Sequence, residues 1–283
     1  MTLHPVADTT LFETNPLNNL GANTNFVSGT TAGSAGEPLR SRAVMKFDVA
    51  SQVPSGATVI SATLTLTVVR IPTVPANSGF ELHRLLVSWG EGNKSGNIGL
   101  PATRGEATWS SRFSLLPQWA VPGGAAGKDF LTAGSSSTFV QGQGSYTFAS
   151  TSNLTADVQG WLDNTDANFG WILISQDEAT ASTARRFASR ESDVGAPTLL
   201  VDYVLPPVLA GAGRQDTNCT FHFTVEAGYN YTVEYTDALP STNWLVLTNV
   251  GARIVTFEAA VTNSLQASPS RFYRLQRVPC NCR

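Results

Sequence analysis

Residues 59–69, Val-Ile-Ser-Ala-Thr-Leu-Thr-Leu-Thr-Val-Val, decide the fold class. Ala62, Leu64, Leu66 and Val68 fall on one side of an extended chain, and Thr63, Thr65 and Thr67 fall on the other. A period of two predicts a β-strand with one face buried and the other wet. The turn Pro54-Ser55-Gly56 sets its start. On the N-terminal side, Arg42–Val49 alternates in the same way, and Thr9–Glu13 reads as the first strand. Between them Ser28–Glu37 has the composition of a flexible loop. On the C-terminal side Phe80–Trp89 and Tyr146–Ala149 read as strands. Leu154, Val158, Trp161 and Leu162 then recur at helical spacing, which predicts one short helix with Ser152 or Asn153 as its N-cap.

The stretch 168–203, NFGWILISQDEATASTARRFASRESDVGAPTLLVDY, closes this run of strands. It holds Gly170–Ser175, Arg186–Ser189 and Thr198–Tyr203, separated by polar, Gly- and Pro-containing turns. After Pro206-Pro207, five short runs follow in quick succession: Phe221–Val225, Tyr229–Tyr235, Trp244–Thr248, Ile254–Ala259 and Phe272–Leu275. The spacing predicts a smaller β-sandwich. The domain reading is therefore a β-sandwich over residues 1–205, a linker over 206–213 and a small β-sandwich over 214–283.

Composition agrees with an all-β chain. Of 283 residues only 14% are charged, against roughly a quarter in an ordinary globular protein, and the net charge of −3 gives no electrostatic ground for binding nucleic acid. No apolar run approaches the roughly 20 residues needed to cross a bilayer. The N-terminus MTLHPVADTT has neither a basic nor an apolar signal region, so an exported form is expected to have lost its signal. All three cysteines lie near the C-terminus, and a disulfide from Cys219 to Cys280 or Cys282 is expected.

Catalytic motifs are weak. His4, His83 and His222 stand alone, and no Gly-x-Ser-x-Gly elbow occurs. Glu91 with Asp129, or Asp177 with Glu178, would suit a glycosidase pair only at a separation that sequence does not give. Oxygen-rich turns offer two candidate sets for a structural Ca²⁺ ion: Asn164, Asp166 and Asn168 in the turn 163–168, and Glu91, Asn93 and Asp129 in the long loops. The loops between Gly90 and Gly144 are unusually long for a compact domain and carry Trp109 and Trp119, with Trp89 at their edge. Flat indole faces suit sugar stacking, and Arg185 and Arg186 would pair with acidic sugars. Trp161 and Trp171 sit in periodic segments and read as core.

An ordered series of short motifs resembles a known family. It runs through Ala7-Asp8-Thr9, Asn23-Thr24-Asn25, Arg42-x-x-Met45-Lys46-Phe47-Asp48, Val53-Pro54-Ser55-Gly56-Ala57, Trp89-Gly90-Glu91-Gly92, Asp157-Val158-Gln159-x-Trp161 and Phe187-Ala188-Ser189-Arg190-Glu191, and ends in Pro197-x-Leu199-x-Val201-x-Tyr203. The series resembles the DNRLRE-type domain of secreted bacterial and archaeal proteins over about residues 5–204. The resemblance implies a jelly-roll-like antiparallel β-sandwich found beside carbohydrate-active enzymes and in cell-surface proteins, with polysaccharide binding in some members. It makes the Phe187–Glu191 motif a recurrent element of the fold. The C-terminal segment, through Gly228–Tyr235, Trp244 and Arg271–Arg274, is similar to small β-sandwich tails of Planctomycetes and Verrucomicrobia proteins. The expectation is a non-catalytic, secreted, calcium-stabilised protein that binds a polysaccharide or cell-surface glycan. The alternative is a subunit that self-associates into an extracellular filament or layer.

Overall fold

The computed structural model describes residues 1–32, 38–265 and 270–280. The chain divides into two compact units, Met1–Leu205 and Pro206–Arg283. The first contains β1 (Thr2–Leu3), β2 (Pro5–Phe12), β3 (Asn18–Asn19), β4 (Asn25–Ala32), β5 (Pro38–Phe47), β6 (Thr58–Arg70) and β7 (Ser78–Arg84). There follow β8 (Leu100–Pro101), β9 (Ser136–Val140), β10 (Gly144–Phe148), the helix α1 (Ser152–Asp163), β11 (Trp171–Ser175), β12 (Arg185–Ala188) and β13 (Thr198–Val204). The fold is all-β and sandwich-like, with antiparallel strand pairs and a single α-helix among the described residues.

One layer runs β1-β13-β6-β12-β4 and the other β4-β5-β11-β7-β9, so β4 belongs to both. Its residues 25–28 pair with β12 and its residues 29–32 pair with β5. The crossing falls at Gly29, whose φ of +104° is one that side-chain-bearing residues rarely adopt. On the opposite side the sandwich is closed by a hairpin: β9 pairs with β7 of one layer and β10 with β6 of the other. Between the layers, Ala62, Leu64, Leu66 and Val68 of β6 are buried, as their alternation requires. Phe187 of β12 packs against Phe26 and Phe80, with ring centroids 5.7 and 5.5 Å away. Burial of each such side chain contributes about 1.5–3 kcal/mol.

The helix covers one end of this core through Leu154, Val158 and Trp161. Its N-cap is Thr151, one residue before the expected pair, because the Thr151 hydroxyl accepts from the Leu154 amide at 3.0 Å while donating to the Ser135 carbonyl. Asp157, buried on the inner face of the helix, accepts from Ser135 Oγ and from Trp171 Nε1. Trp161 and Trp171 lie 4.4 Å apart and are core residues. No helix among the described residues is long and apolar enough to cross a membrane.

Other boundaries differ from the sequence reading for local reasons. Residues 28–32, read as part of a loop, belong to the strand over residues 25–32, which pairs with β12 and β5; residues 33–37 of the expected loop lie outside the described residues. The strand expected to reach Trp89 ends at Arg84, after which only Leu85 bridges to Phe130.

The second unit contains β14 (Ala210–Gln215), β15 (Asn218–Val225), β16 (Tyr229–Thr236), β17 (Leu245–Val250), β18 (Phe257–Ser264) and β19 (Phe272–Pro279). Two three-stranded sheets, β14-β15-β18 and β17-β16-β19, enclose a core of Phe221, Phe223, Tyr231, Val233 and Val261. Residues 210–213, read as part of a linker, are therefore in a strand. The strand expected at Ile254 begins at Phe257 instead, and Ile254 is 96% exposed. Cys219 is a free thiol and Cys280 is disulfide-bonded, so the expected bridge through Cys219 does not form; Cys282 lies outside the described residues.

The crossing at Gly29 is testable. A Cβ there would meet the Thr183 carbonyl oxygen at 2.7 Å and the Ala184 Cα at 2.8 Å, both backbone atoms that cannot swing away. Gly96 has a similar φ of +115° but nothing within 4 Å of such a Cβ. In urea unfolding, Gly96→Ala should cost about 1 kcal/mol and Gly29→Ala at least ~2 kcal/mol more. Equal losses would contradict the close-packed crossing.

Candidate functional site

The tryptophans placed by sequence in the long loops are held by the chain itself. Trp109 and Trp119 are each 4% exposed and join Leu11, Val44, Leu85, Phe130 and Ile172 in a second apolar cluster. The guanidinium carbons of Arg40 and Arg42 lie 5.3 and 5.6 Å from the centre of the Trp109 ring. Trp119 Nε1 donates to the Thr108 carbonyl at 2.8 Å. Trp89 is half-buried and donates to the Phe169 carbonyl at 2.9 Å.

The candidate calcium ligands are not drawn into common sites. Asn164 and Asp166 are exposed, with the Asn164 side chain capping the 3₁₀ turn Thr165–Ala167, whereas Asn168 is buried and donates to the Phe47 carbonyl at 2.7 Å. Asp129 Oδ2 accepts from the amides of Ala120 (2.9 Å) and Ala125 (2.8 Å). Glu91 belongs to a different network, and Asn93 donates its amide to Glu106 at 3.1 Å. No group of three or more His, Cys, Asp or Glu side chains suited to a metal occurs among the described residues. Carboxylates that accept backbone amides brace the loops: Asp129 as above, and Glu106, which takes the Thr103 amide at 2.7 Å and the Lys94 ammonium at 3.1 Å. Burial alone would raise Glu106, but the Thr103 amide and Lys94 outweigh it and hold its carboxyl below the ordinary range.

Glu91 is half of a second such network. Its Oε1 accepts the Asp8 amide at 2.8 Å and Arg190 Nε at 2.6 Å, and the same Arg190 Nε lies 2.8 Å from Glu191. Asp8, 1% exposed, accepts the Arg190 amide at 2.8 Å. The Ala7-Asp8-Thr9 and Ser189-Arg190-Glu191 motifs thus meet in space. Beside them Asn19, fully buried, donates to the carbonyls of Glu91 and Ala107 and accepts the Gly21 amide.

Arg185 and Arg186 stand elsewhere, at a cleft of about 470 Å³. The chain reaches it through a bulge. Phe187 pairs with Val68 but Arg186 pairs with Arg70, so β6 carries one extra residue, Val69, at this point. Strict alternation would send Arg70 inward after Val68. The bulge instead sets Arg70 directly opposite Arg186 on the outer face, and Val27 of β4 lies opposite Arg186 on its other side. The row Arg70–Arg186–Val27 therefore crosses three neighbouring strands. Phe12, Val27 and Ala184 give the cleft an apolar floor, and Asn15, Thr31 and Asn97 are among its polar walls.

The three arginines have no ionic partner among the described residues. Arg185 is fully buried, and its guanidinium donates to the carbonyls of Ala76, Gln141, Ser182, Thr183 and Ala184. Arg186 Nη1 donates to Asn25 Oδ1 at 2.8 Å, and its Nη2 donates to the carbonyl and Oδ1 of Asn97 at 2.8 and 2.6 Å. Burial lowers the pKa of both, and for Arg186 the charge of Arg70 adds to the effect. Arg70 is exposed. By contrast Arg40, Arg42 and Arg190 all pair with carboxylates, at 2.5, 2.7 and 2.6 Å. Arg70 was invisible to sequence reasoning because only the bulge brings it to Arg186.

No model of a known protein family matches the chain, and no curated protein matches it.

The Asp8 network generates a pH dependence. Burial pushes the Asp8 carboxyl from 3.8 up to about 8; the Arg190 amide opposes the rise, while Glu191 and Glu91 add to it. Between those values the folded protein binds the extra proton, so the contribution of Asp8 to stability is present near pH 4 and is lost as pH rises through 8. Asp8→Asn keeps the oxygen that accepts the Arg190 amide and cannot ionise. Thermal melts should show a wild-type Tm that falls more steeply between pH 5 and pH 8.5 than that of the variant. Parallel slopes would contradict the buried-carboxyl account.

Proposed function

We propose that the chain is a non-catalytic, extracellular glycan-binding protein and that the Arg70–Arg186 cleft is its binding site. The observation that carries the proposal is the cleft's lining. A pyranose ring offers one face of C–H groups and a rim of hydroxyls, and the cleft offers an apolar floor at Phe12, Val27 and Ala184 beside neutral polar side chains at Asn15, Thr31 and Asn97. Its volume is in the range of small-ligand sites, ~300–1,000 Å³.

The same lining supports a binding role over a catalytic one. Asp, Glu, His, Cys, Lys and Tyr do not occur among the described residues that line the cleft. Its charged side chains are guanidinium groups, which do not act as the general acid or base of glycoside cleavage. The buried tryptophan cluster takes a structural role here, bracing the loops on the rest of the sandwich. A disulfide at Cys280 suits an oxidising compartment. Hydrogen bonds to Asp129 and Glu106 brace the long loops.

Thr73 lies exposed among the lining residues, where a large side chain can fill the cleft without entering the core. Affinity gel electrophoresis against neutral and acidic polysaccharides should retard the wild-type protein in at least one gel. Thr73→Trp should abolish that retardation with an unchanged Tm. Free migration of the wild-type protein in every gel would overturn the proposal.

A further inference from the structure

We infer that the anion read by the cleft is a sulfate ester on the glycan, clamped between Arg70 and Arg186, and not a uronic-acid carboxylate. The inference rests on the glycan reading above and goes beyond it by naming the charged group. Two guanidinium groups placed directly opposite on neighbouring strands repel each other and destabilise the sheet. Charge–charge repulsion here is not relieved internally, since neither forms an ion pair among the described residues. The fully buried cation of Arg185 at the same cleft raises the local potential further. An anion lying between Arg70 and Arg186 removes that repulsion.

The hydrogen bonds of Arg186 select the kind of anion. A carboxylate grips a guanidinium best in the plane, with two parallel N–H···O bonds. Both forks of an arginine that offer such a pair, Nε with Nη2 and Nη1 with Nη2, use Nη2. In Arg186 Nη2 is already directed at two oxygens of Asn97, at 2.8 and 2.6 Å. What Arg186 retains is Nε–H and the second proton of Nη1, whose first is directed at Asn25. These donate singly, in different directions. A sulfate ester presents three terminal oxygens in a tetrahedral array, so one oxygen can accept from Arg186 while others accept from Arg70 across the row. Asn25 and Asn97 also fix the Arg186 guanidinium before the ligand arrives, so little side-chain freedom is lost on binding. Phe12, Val27 and Ala184 remain available to the apolar face of the sugar that carries the sulfate.

The test uses the full chain and three gels: κ-carrageenan, a sulfated galactan; the same carrageenan after chemical desulfation; and alginate, a polyuronate. Sulfate recognition predicts retardation by carrageenan, at least ~10-fold weaker retardation by its desulfated form and by alginate, and a steep loss with added salt. Arg70→Gln, at an exposed residue without an ionic partner among the described residues, should fold with a Tm at or above that of the wild type, because the repulsion is gone, and lose at least ~10-fold in carrageenan affinity. Equal or stronger retardation by alginate or by the desulfated polymer overturns the sulfate inference and leaves the glycan reading standing. No retardation by any of the three, or by the wider polysaccharide panel, overturns both. Carrageenan binding that Arg70→Gln leaves intact overturns the assignment of the sulfate to this cleft.

Discussion

A positive charge that the protein does not neutralise organises this end of the molecule. Arg185 is fully buried at the start of β12, and carbonyl oxygens from residues 76, 141 and 182–184 surround it in place of a carboxylate. Taking a guanidinium out of water is costly, and only a complete set of hydrogen bonds makes it tolerable. Those bonds tie together three loops and fix the strand that follows. Because β12 is fixed, Arg186 and the bulge in β6 are fixed as well, and Arg70 is held beside Arg186. The sandwich thus holds Arg70, Arg185 and Arg186 together at one cleft with no carboxylate partner among the described residues.

Several other charges of the first unit are compensated. Arg40, Arg42 and Arg190 each meet a carboxylate, and the buried acids Asp8 and Asp129 accept backbone amides. Such pairs hold long loops against the sheets. They also explain why polar side chains lie buried along β2, where Asp8, Thr9 and Thr10 accept the amides of Arg190, Leu20 and Val27. A strand at the edge of its sheet uses side-chain oxygens where a further strand would otherwise supply partners. What sets the Arg70–Arg186 row apart is that two cations without a carboxylate partner among the described residues stand directly opposite on neighbouring strands.

Much of the fold was legible because alternation and turn chemistry are local. Ala62 to Val68 fixed the central strand, and Leu154, Val158 and Trp161 fixed the helix. What escaped was set by distant partners. Residues 28–32 look like a loop, and they become a strand only because β5 and β12 offer edges on either side of Gly29. The tryptophans of the long loops looked like a sugar platform, and they are buried because Arg40 and Arg42 reach over Trp109 from β5. Arg185 and Arg186 were found as a charged pair, although their roles differ: adjacent residues on a strand point to opposite faces, so one is sealed inside and the other lines the cleft. Arg70 was out of reach, because a one-residue bulge reverses the face that its position in the alternating series implies.

The most direct test of the central claim is to watch the arginines themselves. In ¹⁵N-edited NMR of the Nε–Hε groups during titration with a sulfated galactan tetrasaccharide, Arg70 and Arg186 should shift together in a saturable way, while Arg40, Arg42 and Arg190, already paired with carboxylates, stay in place. Signals of Arg70 and Arg186 that do not move, or uniform drifts across all the arginines, would contradict a glycan site at this cleft.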